Sequence, residues 1–165
     1  MTNRVPAPDP DLFPTPHDYV IACIGGVAVT PHPDDESRAA LRELLASVAG
    51  TPDEGAEFCV SLAGAAVSLI AQTASKCDDP DCRGVHLLGW RNTITGKDAS
   101  MEEAVDDPAT RAVLRAFVAC AAGDDPLVFL EQLDPFAPET IAAHVAAFGL
   151  VTRAVINPIG AVDPA

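Results

Sequence analysis

A chain of 165 residues is the size of one domain and can bury a core without staples. Its net charge of −14, with only ten scattered Lys and Arg, denies it the basic face that nucleic-acid backbones and anionic membrane surfaces attract. An apolar fraction of 48%, much of it alanine, with aromatics at 5%, excludes a disordered chain and points to closely packed helices.

Five prolines among residues 1–16 favour an extended, mobile tail, with Leu12 and Phe13 as its anchors to the body. Tyr19 to Thr30 is apolar, rich in β-branched residues and split by Gly25-Gly26, which predicts a small β-hairpin at 19–30, with a helix as the rival. Asp35 to Ala49 places Leu41, Leu44, Leu45 and Val48 on one helical face, and Gly50 stops it. Thr51-Pro52-Asp53-Glu54 reads as a capping box with proline at the first helical position. It opens a helix at 52–75 whose last eighteen residues, Phe58 to Ser75, carry no charge. That length is near the lower limit for a membrane span, but Ser61, Ser68, Gln72, Thr73, Ser75 and many alanines make a buried central helix the better reading.

Residues 76–100 show no helical period and read as a long loop with short extended pieces, one of them at Trp90 to Thr95. Ser100-Met101-Glu102-Glu103 is a second capping box, and Asp107-Pro108 and Asp125-Pro126 each set an N-cap before a first-turn proline. They start helices at 108–122, stopped by Gly123, and at 126–133. Pro138 opens the last helix, with a stripe at Ile141, Val145, Phe148, Thr152 and Val155, and Asn157-Pro158 ends it. The expectation is a mainly all-α fold: a five-helix bundle around a central buried helix 52–75. It forms a single helical domain at 17–157 between a Pro-rich tail at 1–16 and a C-terminal tail at 158–165.

Two segments carry residues suited to chemistry. Val27-Ala28-Val29-Thr30-Pro31-His32-Pro33-Asp34-Asp35-Glu36 resembles the first-strand motif of the zinc-dependent N-acetylglucosaminyl deacetylase-like family. The resemblance implies that His32 and Asp35 ligate zinc and that Asp34 is the base for a metal-bound water. It covers only these residues. The family's members are longer α/β proteins, and no downstream segment here resembles the one that supplies their third ligand. In the residues themselves, Asp34 and Asp35 also read as another helix start. The second segment, Cys77 to His86, brings Cys77, Cys82 and His86 around a proline turn, a donor set suited to zinc. The competing reading is a surface turn with two reduced thiols.

Other positions read as structural. Cys23, Cys59 and Cys120 fall in apolar runs and are expected to be buried, inert thiols. His17 follows a proline in the tail and is expected to be solvated, and His144 lies mid-helix. Trp90 and Arg91 are the candidate anchors for a partner. No phosphate-binding glycine loop and no nucleophile elbow is present. An odd cysteine count and a start without an apolar leader lead to the expectation of a reducing cytoplasm. The expected function is a helical protein-binding or regulatory module, with a protein partner or a second copy of the chain in a homodimer, and without catalysis of its own. The alternatives are a zinc-dependent hydrolase built on His32, Asp34 and Asp35, and a small-ligand-binding helical domain.

Overall fold

The computed structural model describes residues 1–74, 90–91 and 97–156. They are mostly helical. A 3-10 turn at Pro10–Leu12 precedes α1 (Pro16–Val29), α2 (Asp35–Val48), α3 (Pro52–Ala74), α4 (Met101–Ala104), α5 (Pro108–Ala122), α6 (Leu127–Leu130) and α7 (Pro138–Ile156). Two short strands, β1 (Trp90–Arg91) and β2 (Asp98–Ala99), pair antiparallel with Trp90 opposite Ala99.

Side-chain caps start most of these helices, as the recurring acidic and hydroxyl residues before each one require. Thr15 accepts from the amide of Asp18, Asp34 from that of Ser37, Ser100 from that of Glu103 and Asp107 from that of Thr110. At α3, the Thr51 amide donates to Glu54 at 3.0 Å and the Glu54 amide to Thr51 Oγ1 at 3.3 Å, the reciprocal pair of a capping box. Gly123 ends α5 in the left-handed region at φ 82°.

The hairpin expected at 19–30 is instead the body of α1. Thr15 and Pro16 supply a cap and a first-turn proline that outweigh the β-branched residues behind them. The glycine pair serves packing rather than turning. A Cβ on Gly25 would lie 3.3 Å from Cγ2 of Thr152, so its absence lets α1 and α7 approach closely. Arg153 locks that contact, its Nε and Nη2 donating to the Ala28 carbonyl at 3.0 and 2.9 Å near the C-terminal end of α1.

The helix at the centre is α7 rather than the one at 52–75. It packs on α1, α3 and α5, and it buries Thr140, Ala143, His144, Ala147, Phe148, Val151 and Thr152. The longer α3 is continuous and buries Phe58, Leu62, Ala66 and Ile70, but Val60 on its other side is 73% exposed. Pro52–Gln72 and Pro138–Ile156 are each long and apolar enough to cross a membrane by length and composition, and these two helices pack on each other. Their contact is tight at Gly55, where an added Cβ would meet Cδ1 of Ile141 at 2.6 Å. α6 is also shorter than the helix read at 126–133.

The N-terminal residues are tied down rather than mobile. The Asn3 amide donates to the His32 carbonyl at 2.9 Å, and the Asp34 amide donates to the Asn3 carbonyl at 2.9 Å. Val5 donates to Ser37 Oγ, and Arg4 pairs with Glu36, both at 3.0 Å. Of the two anchors read from sequence, Phe13 packs edge-on against Tyr19, whereas Leu12 is exposed.

Candidate functional site

Ala56, Cys59, Val60 and Ala63 repeat at helical spacing along α3, and three of the four are small. Where this stripe faces α6 and the start of α7, the small side chains leave space that bulkier ones would fill. A pocket of about 310 Å³ results. Leu130, Leu133, Pro135 and Phe136 close its far side, and Thr140 and His144 contribute from α7.

The 131–137 connection is held in place by its own backbone and side chains. The Asp134 carboxylate accepts from the Phe136 amide at 3.0 Å, and the Asp134 carbonyl accepts from Thr140 Oγ1 at 2.6 Å. These bonds set Pro135 and Phe136 over the first turn of α7.

His144 is 8% exposed. Its Nδ1 lies 2.8 Å from the Thr140 carbonyl one turn earlier. A carbonyl only accepts, so Nδ1 carries the proton and Nε2 keeps its lone pair. Burial pushes the imidazole's pKa down, against the smaller upward pull of that hydrogen bond. Phe117 of α5 stacks edge-on at 6.0 Å between ring centroids. Burial also drives the Cys59 thiol up to about 11. Cys59 is therefore a protonated, weakly donating thiol at neutral pH and is unsuited to nucleophilic attack.

The residues of the 31–36 motif form the turn between α1 and α2. His32 is exposed and adopts φ 51°, a left-handed conformation in which its carbonyl receives the Asn3 amide. Asp34 spends its carboxylate on the α2 cap at 2.8 Å from the Ser37 amide, and hydrogen bonding by Ser37 holds its pKa below the ordinary carboxylate value. Asp35 is exposed and lies 3.8 Å from Arg38. Among the described residues, no three His, Cys, Asp or Glu side chains are grouped to hold a metal ion. Cys77, Cys82 and His86 lie outside the described residues, as do the side chains of Trp90 and Arg91.

His17 is half-buried rather than solvated: Nδ1 lies 3.0 Å from Ser61 Oγ, and the ring packs edge-on against Phe58. Cys23 and Cys59 are buried, but Cys120 is exposed. In the sequence His144 does not stand out, because it belongs to no cluster of ligand-type residues. The available signal was simpler: a histidine four residues after Thr140, inside a run of buried positions on one helical face.

Comparison of the chain with protein-family models, curated proteins and solved structures found no match. The resemblance of residues 27–36 therefore stands on that segment alone.

Proposed function

We propose that this chain is a small-ligand-binding helical domain and that its site is the pocket between α3, α6 and α7. The observation that carries this reading is an apolar pocket of about 310 Å³ with a buried imidazole in its lining. Small-molecule sites typically offer about 300–1,000 Å³, mostly apolar, with a few placed polar groups. The other spaces fit less well. The apolar cavity under residues 5–8 is about 70 Å³. The groove between α5 and α6 is lined by Arg111 and Arg115, but Arg111 already donates to the Val105 carbonyl and Arg115 is paired with Glu102. The test is a titration of the full chain with methylnaphthalene, followed by the probe's fluorescence. Wild type should bind it saturably. Ala63→Phe, which puts a ring into the pocket, should weaken binding about tenfold or more; undiminished binding would place the ligand elsewhere.

A second reading, a protein-binding module, is favoured by α6. Leu127, Val128 and Phe129 leave substantial apolar surface exposed on this short helix, beside an exposed Phe136. A homodimer through this face should appear in sedimentation velocity as association that Val128→Asp abolishes. A monomer at every concentration would remove a second copy as the partner.

A further inference from the structure

The pocket's polar atoms restrict what it accepts. Thr140 Oγ1 donates its proton to the Asp134 carbonyl, and the Thr140 carbonyl accepts the Nδ1 proton of His144. With Nδ1 turned back onto its own helix, Nε2 is the ring nitrogen with no hydrogen-bond partner among the described residues, on a side chain that lines the pocket. It presents a lone pair from a side chain that is 8% exposed. No Lys, Arg, Asp or Glu is among the described lining residues.

A carboxylate entering this space would lose its hydration without meeting a cation, and its oxygens would face the Nε2 lone pair. A ketone or ether oxygen would face the same lone pair, with the weakly donating Cys59 thiol as its one offset among the described lining residues. An ammonium would find no carboxylate. A purely apolar molecule would fill the volume but leave a buried acceptor unsatisfied, which costs more than a hydrogen bond returns when made. A neutral molecule with one hydroxyl or N–H donor avoids each of these penalties.

We infer that the pocket selects a neutral, largely apolar ligand of one or two rings, such as a phenol-type alcohol, by a hydrogen bond from its single donor to Nε2 of His144. This rests on the ligand-binding reading above. His144 then acts as the residue that sets ligand orientation and specificity, while the small side chains of α3 set ligand size. The same logic explains the value of the Thr140 contact. It selects the tautomer, so that the neutral imidazole carries its acceptor on Nε2 rather than on Nδ1.

The experiment compares three probes of similar shape on the full chain at neutral pH: naphthol, methylnaphthalene and naphthoate. Naphthol should bind about tenfold more tightly than methylnaphthalene, with naphthoate weakest. His144→Leu should erase the naphthol preference and retain methylnaphthalene binding. If that variant does not fold, nitrogen NMR of the wild-type imidazole decides instead. The Nε2 resonance should move upfield with naphthol and not with methylnaphthalene, and an unchanged resonance overturns the inference. Equal affinity for naphthol and methylnaphthalene, or tightest binding of naphthoate, also overturns it while leaving the pocket as a ligand site. Failure of all three probes, or binding that Ala63→Phe leaves intact, overturns the ligand-binding reading itself.

Discussion

A buried imidazole and a buried thiol make this fold sensitive to pH from both sides. Burial lowers the His144 pKa in the folded state, so the unfolded chain binds more protons as pH falls through the ordinary histidine value of 6.5. Stability from this group is complete above that value and declines below it, until the folded pKa is passed. Cys59 acts in the opposite direction. Its folded pKa of about 11 lies above the ordinary 9.0, so the unfolded chain loses its proton first and stability declines as pH rises from about 9 to about 11. Denaturant midpoints measured across pH should therefore fall at both ends. Cys59→Ala should flatten the alkaline limb, and His144→Leu should flatten the limb below neutrality. An alkaline limb unchanged in Cys59→Ala would mean that this thiol is not buried as described. Asp34 and Asp107 show how local chemistry was readable at this scale. Their caps were legible because an aspartate before a helix needs no tertiary information. The role of His144 was not, because an acceptor becomes a site only when three separated segments enclose it.

The five longer helices differ in how well their buried faces could be read. In α7 the stripe Ile141, Val145, Phe148, Thr152 and Val155 is buried at Phe148 and Thr152, while the rest of the buried line runs through Thr140, Ala143, His144, Ala147 and Val151. Close helix contacts blur the usual preference. Where α1 and α3 approach α7 at Gly25 and Gly55, a glycine on one helix makes room for Thr152 or Ile141 on the other, so bulk alone does not mark the buried face. Hydrophobic period alone therefore placed the helix and part of its face but missed the small residues beside that stripe. The misread hairpin at 19–30 has the same origin, since a glycine pair can equally mark a turn or a close contact. A pair of substitutions checks the register. Ala147→Leu should overpack the centre and destabilise by about 1–3 kcal/mol, whereas Ala146→Leu on the exposed side should stay within about 0.5 kcal/mol. Equal losses in chemical denaturation would show that the buried line has been drawn wrongly.

Across the whole molecule, 24 acidic residues against 10 basic ones give a surface that repels itself. Salt should screen that repulsion, so the Tm should rise between about 0.01 M and about 0.15 M NaCl, where the screening length shortens from about 30 Å to about 8 Å. A Tm that falls over this range would show that ion pairs such as Arg4–Glu36 outweigh the repulsion. The placement of α7 has a further consequence for how the chain is made. Synthesis delivers α1, α3 and α5 first, and each exposes an apolar face whose cover is the helix that emerges after them all. Until residue 138 leaves the ribosome, Phe58, Leu62, Val113 and Leu114 lack part of their enclosure. The nascent chain should therefore remain a substrate for holding chaperones until α7 has emerged, and fold in one step only then. A chain terminated at Ala137 should be recovered as aggregate or in complex with chaperone, with no cooperative melting transition. A soluble, cooperatively melting truncation would show that the first six helices assemble without their hub.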